Sequence, residues 1–197
     1  MKDYSQFGEQ FAIFDALRPI VEEPGRWLDI GAWHPTQFSN TRELYELGWH
    51  GVAIEPSPGP MLSLLEAYGE DPTVTLIQAA VGLEPGYVTL HVTDDAVTTG
   101  SEAEYERWKS TAKFRGRLTV PIITLEEIAH RYGGFQFWNI DAEGISADLF
   151  RRAMTLGLYP KCMCVEHDSR TTELLEVATR HGYRCLLCNS TNVVISR

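Results

Sequence analysis

The stretch Arg26-Trp27-Leu28-Asp29-Ile30-Gly31 decides how this chain is read. Trp27, Leu28 and Ile30 make it apolar on both faces and Gly31 stops it, which predicts a short strand buried in a sheet covered from both sides. An amphipathic helix over 6–18 precedes it, with Phe7, Phe11, Phe14 and Leu17 at helical spacing, ended by Pro19 and the Glu22-Glu23-Pro24-Gly25 run. After it, Asn40 three residues before Glu43 reads as a helix start, and Gly48 closes that helix. The alternation continues. Val52-Ala53-Ile54-Glu55 reads as a strand, Met61, Leu64, Leu65 and Tyr68 as a helix stripe, and Val74 to Ala80 as a third strand.

Farther on, Gly86 to Val92 alternates like an extra strand with Leu118 to Ile123 as its partner. Leu125, Ile128, Ala129 and Tyr132 mark a helix, Phe135 to Ile140 a strand ending at Asp141, and Ile145, Leu149, Ala153 and Leu156 a helix. Cys162 to Glu166 is a strand, Leu174, Val177 and Ala178 a helix, and Tyr183–Leu187 with Val193–Ser196 a closing hairpin. Strands alternating with helices predict an α/β fold with a mostly parallel sheet and helices on both faces.

The length of 197 residues suits one domain over 1–197, with an N-terminal helical segment over 1–25. Lys and Arg total 17 against 27 Asp and Glu, a net charge of −10, which argues against nucleic acid and anionic membranes as partners. No run approaches the ~18 apolar residues of a membrane span. Without an export signal, the expectation is a cytoplasmic protein whose four cysteines are reduced thiols. All four cysteines fall in predicted strands, which suit a zinc loop poorly. Whether the chain forms a homo-oligomer stays open.

Residues 94–117 read as irregular, with one short helix near Glu102–Trp108, acidic at its start and basic at its end. Such a loop is either a substrate lid or a solvated excursion. Lys113 and Arg115, with Arg117, suit a phosphate or carboxylate on a substrate.

Ligands of open parallel sheets bind beyond the carboxyl ends of the strands. Here those ends carry Asp29, Glu55, Asp141 and Glu166, and a carboxylate at such a place needs a partner. Gly31 allows backbone approach, but Ala32, Trp33 and His34 stand where a dinucleotide fingerprint needs glycines. This argues against a nicotinamide-dependent reductase, the rival enzyme reading. Glu55, 24 residues after Gly31, suits both hydroxyls of a ribose. Asp141 and Glu143 either face a ligand or cap the next helix. His34 and His167 are candidate proton carriers or structural histidines.

Ser5-Gln6-Phe7-Gly8-Glu9-Gln10, Leu28-Asp29-Ile30-Gly31-Ala32, Phe38-Ser39-Asn40-Thr41-Arg42, Gly48-Trp49-x-Gly51-Val52-x-Ile54-Glu55-Pro56, Ala80-Val81-Gly82 and Ile140-Asp141-x-Glu143-Gly144 follow in order. With these blocks the chain resembles the FkbM-type S-adenosylmethionine-dependent methyltransferases, departing from them at Trp33-His34-Pro35. The resemblance implies a Rossmann-like class I methyltransferase fold with seven strands, the last antiparallel. It implies O-methylation of a hydroxylated small molecule such as a saccharide.

Carried over, Asp29, Gly31 and Ala32 would border the methionine part of S-adenosylmethionine. Glu55 and Pro56 would lie at the ribose and Ala79 and Ala80 at the adenine, with Asp141 at the sulfonium. Asp141, His167 and His34 are then the candidate catalytic groups, and Asn40, Glu143, Lys113 and Arg115 the candidate acceptor contacts. Mg²⁺ held by Asp141 and Asp168 is an added arrangement that would polarise a diol. A non-catalytic cofactor-binding module is the remaining alternative.

Overall fold

The computed structural model describes residues 2–93 and 98–197. Asp94 and Asp95, the acidic start of the expected loop, lie outside the described residues. The chain runs α1 (Glu9–Leu17), β1 (Arg26–Ile30), α2 (Arg42–Glu46), β2 (His50–Ile54), α3 (Pro58–Tyr68), β3 (Val74–Ile77), β4 (Ala80–Gly82) and β5 (Gly86–Thr93). It continues α4 (Glu102–Trp108), β6 (Phe114–Thr124), α5 (Leu125–Tyr132), β7 (Phe137–Ile140), α6 (Ser146–Thr155), β8 (Cys162–Glu166), α7 (Thr171–Arg180), β9 (Arg184–Cys188) and β10 (Asn192–Ser196).

Seven strands form the main sheet in the order β3-β2-β1-β7-β8-β10-β9. The pairs β1–β2, β2–β3, β1–β7 and β7–β8 are parallel. The final strand, β10, is antiparallel to β8 and β9 and lies between them. The strand order reverses at β1, which is flanked by β2 and β7. The crossover from β1 runs to β2 and the one from β7 runs to β8, in opposite directions, and they open a crevice between the carboxyl ends of β1 and β7.

Alternation along β1 sorts the core. Leu28 and Ile30 join one apolar cluster with Val52, Ile54 and Ile140, while Trp27 joins another with Ile13, Leu17, Leu44 and Leu64. Asp29 shares the face of Trp27 by the two-residue period. It is buried, 4% exposed.

The structure corrects the third strand. The run 74–80 is two strands: β3 ends at Ile77, and β4 begins at Ala80 in a separate sheet of order β4-β6-β5. Gln78 stands at the break, but a single polar residue is also what a strand with one open face carries, so the pattern does not mark it. The second sheet also takes up part of the expected irregular segment, since β6 starts at Phe114 and pairs with β5 down to Gly86↔Ile122. The short helix is α4, as expected, capped by the Ser101 side chain accepting from the Glu104 N–H.

A buried acid ties the two ends of the described fold together. Glu9, at the first turn of α1, is fully buried. Its Oε1 accepts from the side-chain amides of Asn189 and Asn192, both at 2.8 Å, and Oε2 accepts from the Phe7 N–H at 2.8 Å. These bonds outweigh the cost of burial and hold its pKa below the ordinary value. α1 is thereby pinned to the β9–β10 turn, beside the crevice.

Candidate functional site

A cavity of about 580 Å³ lies at the carboxyl ends of β1, β2 and β7, a size suited to a small-molecule site. Of the residues singled out from sequence, Asp29, Gly31, Ala32, Asn40, Glu55, Pro56, Ala79, Ala80, Asp141 and Glu143 all line it. One side is apolar, built from Val88, Leu90 and Ile122 of the small sheet.

Gly31 brings the two central strands together. Its φ is +75°, and a Cβ there would sit 1.8 Å from the carbonyl oxygen of Asp141. The turn after β1 therefore touches the turn after β7 through bare backbone. A side chain has no room there, because the Asp141 backbone already fills the position.

Glu55 follows β2 and is 4% exposed. Oε1 accepts from the Ser57 N–H at 2.7 Å and Oε2 from the Trp33 N–H at 3.0 Å. Burial raises its pKa while these bonds oppose the rise. Each oxygen keeps a lone pair, so the carboxylate can still accept from two hydroxyls side by side.

Asp29 is held differently. The Thr41 hydroxyl donates to Oδ2 at 2.6 Å and the Asn139 amide donates to Oδ1 at 2.8 Å. Asn139 in turn accepts from the Asn40 amide at 3.0 Å. A carboxylate can only accept, so Asp29 orients the amides of both asparagines. Burial raises the pKa of Asp29 and the two hydrogen bonds counter it. Asn40 is therefore not the helix cap that its spacing suggested: Thr41 takes the N-cap place, and the Arg42 N–H is met by Ser39 Oγ at 3.1 Å.

Asp141, Glu143 and Glu166 form a cluster with a carboxylate oxygen of each within 4.8 Å of the others. Glu143 is open to the cleft yet desolvated on its protein side, and with the charge of Glu166 its pKa is pushed up to about 8. Burial and the charge of Glu143 raise Asp141, and burial with the charges of Asp141 and Asp168 raises Glu166. Groups raised in the folded state stabilise it while protonated. Their contribution is complete below the ordinary carboxyl range and is lost as pH rises toward about 8 for Glu143. The melting temperature is expected to fall between pH 5 and pH 8 and the Glu143→Gln variant to fall less; parallel curves would remove this assignment.

Asp168, the second member of the expected Mg²⁺ pair, lies at the start of α6. Asp168 accepts from the Gly144 N–H at 3.1 Å and the Ala147 N–H at 3.0 Å, so it caps the start of α6. Helix N–H groups attract a carboxylate, and each oxygen accepts one of them.

Both histidines stand apart from the cavity lining. His34 Nδ1 accepts from the N–H groups of Thr36 and Gln37 at 3.1 and 3.0 Å, closing a turn. His167 Nδ1 accepts from the Ser169 N–H at 3.1 Å. Lys113 and Arg115 are exposed and also lie outside the lining.

Sequence reading missed Thr41 and Asn139. Asn139 had a signal, being the one polar residue in the strand Phe137-Trp138-Asn139-Ile140. It also missed the aromatic pair Trp33 and Phe38, which line the cavity.

The reversed strand order, the β1 turn and the acid after β2 define a Rossmann-like class I methyltransferase fold. The chain belongs to the methyltransferase FkbM domain family, whose sequence profile matches residues 29–185. It is similar in fold to the precorrin-6y C5,15-methyltransferase of Geobacter metallireducens GS-15, at TM-score 0.53 and 14% identity over 99% of this chain and 90% of that one. Monomeric WbdD also has TM-score 0.53, at 12% identity, covering 99% of this chain and 41% of that one. The methyltransferase domain of METTL16 has TM-score 0.51 and 9% identity over 96% and 80% of the two chains. No curated protein matches the chain in sequence. Among the described residues, no helix is long and apolar enough to cross a membrane.

Proposed function

We propose that the protein transfers the methyl group of S-adenosylmethionine to a hydroxyl of a saccharide or related small molecule. The observation that carries the reading is the convergence of Gly31, Glu55 and Asp141 on one cavity. The two free lone pairs of Glu55 suit the ribose hydroxyls of an adenosyl group. When bound, S-adenosylmethionine supplies an electrophilic methyl on a positive sulfonium.

The residues of the chain bind, orient and move a proton. Glu55 accepts from the ribose hydroxyls, the small side chains of Ala79 and Ala80 leave room for adenine, and Asp29 orders the wall beside Gly31. The carboxyl cluster faces the acceptor. A hydroxyl becomes a competent nucleophile as its proton leaves, and the Asp141 carboxylate takes that proton. A raised pKa makes it a stronger base than an ordinary aspartate. Holding donor and acceptor in line supplies the rest of the acceleration.

Calorimetry with S-adenosylmethionine and S-adenosylhomocysteine tests this. Wild-type protein is expected to bind both and to ignore a nicotinamide cofactor. Glu55→Ala removes two charge-assisted hydrogen bonds of about 1.5–3 kcal/mol each, so affinity is expected to drop on the order of 100-fold or more. Equal binding by the Glu55→Ala variant would move the ribose elsewhere, and no binding by wild-type protein would remove the reading. Binding without turnover on any hydroxylated acceptor would favour a non-catalytic module.

A further inference from the structure

We propose that the stacked rings of Trp33 and Phe38 are the acceptor platform, on which a ring-shaped acceptor lays its apolar face. This rests on the methyltransferase reading and names the shape of the second substrate.

Both residues line the cavity. Their ring centroids are 5.7 Å apart and their planes 17° from parallel. Each has a left-handed backbone, with φ 41° at Trp33 and 55° at Phe38. Side-chain-bearing residues avoid this region, and such strain persists where the surroundings over-determine it, often at binding sites.

The surroundings here are specific. The Trp33 N–H is fixed on Glu55, and the Ser39 N–H, next to Phe38, is fixed on the Tyr4 carbonyl at 2.9 Å. Between the two aromatics, His34 closes the turn through Thr36 and Gln37. His34 is thus a positioning residue for the ring stack.

The stack leaves Phe38 47% exposed, although a ring of this size gains by burial. In the proposed function, Glu55 takes the ribose, Ala79 and Ala80 border the adenine, and Asp141 meets the reacting hydroxyl. The aromatic pair is a cavity surface which those roles leave unused. A flat π face attracts the C–H face of a pyranose or another ring. An acyclic polyol has the hydroxyls but no face. The acceptor chemistry is therefore a flat ring with one apolar side and a hydroxyl at its edge, whether a sugar or a phenol.

The test titrates methyl α-glucopyranoside, catechol and sorbitol into protein with and without saturating S-adenosylhomocysteine, read by saturation-transfer NMR. At least one ring compound is expected to bind better than sorbitol, with transfer concentrated on one ring face. The glucopyranoside and catechol arms tell a sugar from a phenol. Phe38→Tyr should keep that binding, while Phe38→Ala weakens it by about tenfold or more. Phe38→Gly should weaken it equally, though it also relieves the left-handed backbone. S-adenosylhomocysteine affinity, measured on the same samples, should stay at the wild-type value in all three variants.

Ring binding indifferent to Phe38→Ala, sorbitol binding as well as the rings, or no ring binding at millimolar concentration each overturns the platform. Absent S-adenosylhomocysteine binding removes the methyltransferase reading instead, and the titration without it still decides the platform.

Discussion

Gly31→Ala is expected to cost about 3–5 kcal/mol of folding stability and to abolish cofactor binding. The left-handed backbone alone penalises a Cβ by about 1–2 kcal/mol. The larger part comes from contact. The new carbon would lie 1.8 Å from the Asp141 carbonyl oxygen and 2.9 Å from its carbon. Neither is the end of a flexible side chain. Relief requires β1 and β7 to part, straining the Asp141 N–H to Ile30 carbonyl bond and the Gly31 N–H to Ile54 carbonyl bond, both 2.9 Å.

Gly48 is the control. It has φ +83° but nothing within 4 Å of a Cβ, so its alanine variant bears only the backbone term. Urea unfolding of the two variants checks this. A Gly31→Ala midpoint as high as that of Gly48→Ala would show that the strands separate at little cost.

Asp141→Asn is expected to lower turnover by about 10²–10⁴-fold at saturating cofactor, the range for removing a positioned general base. An amide can hold the place of the carboxylate in the cluster with Glu143 and Glu166 but cannot take a proton. His167→Ala should stay near wild type, since Nδ1 of His167 is occupied by the Ser169 N–H and the ring lies off the cavity lining. Single-turnover methyl transfer separates the two. Wild-type rates in Asp141→Asn, or a matching loss in His167→Ala, would assign the base elsewhere.

The parts of the site that were readable from sequence share a cause. In a parallel sheet every strand delivers its last residue to one edge, so Asp29, Glu55, Asp141 and Glu166 could be placed together before any coordinates existed. The break between β3 and β4 was hidden because Gln78, the one sign of it, is equally a polar residue within a continuing strand. His34 and His167 resist sequence reading for another reason. A histidine that accepts from a nearby N–H has the same local spelling as one that faces a ligand. The left-handed Trp33 and Phe38 were invisible because bulky residues avoid that conformation, so no propensity argument points to it.

The Glu9 clamp has a consequence for how the molecule is made. Its two asparagine partners stand 180 and 183 residues later in the chain. Asn192, one of them, also lines the cavity. A growing polypeptide therefore displays Asp29 and Glu55 long before the wall beside them exists. Joining positions so distant is slow and entropically costly, so the clamp belongs among the late events of folding. Until it closes, the nascent chain carries a half-built pocket with a naked carboxylate on its first helix. Ligand affinity thus reports on closure of the clamp, and a molecule shortened before residue 189 is expected to hold no nucleoside.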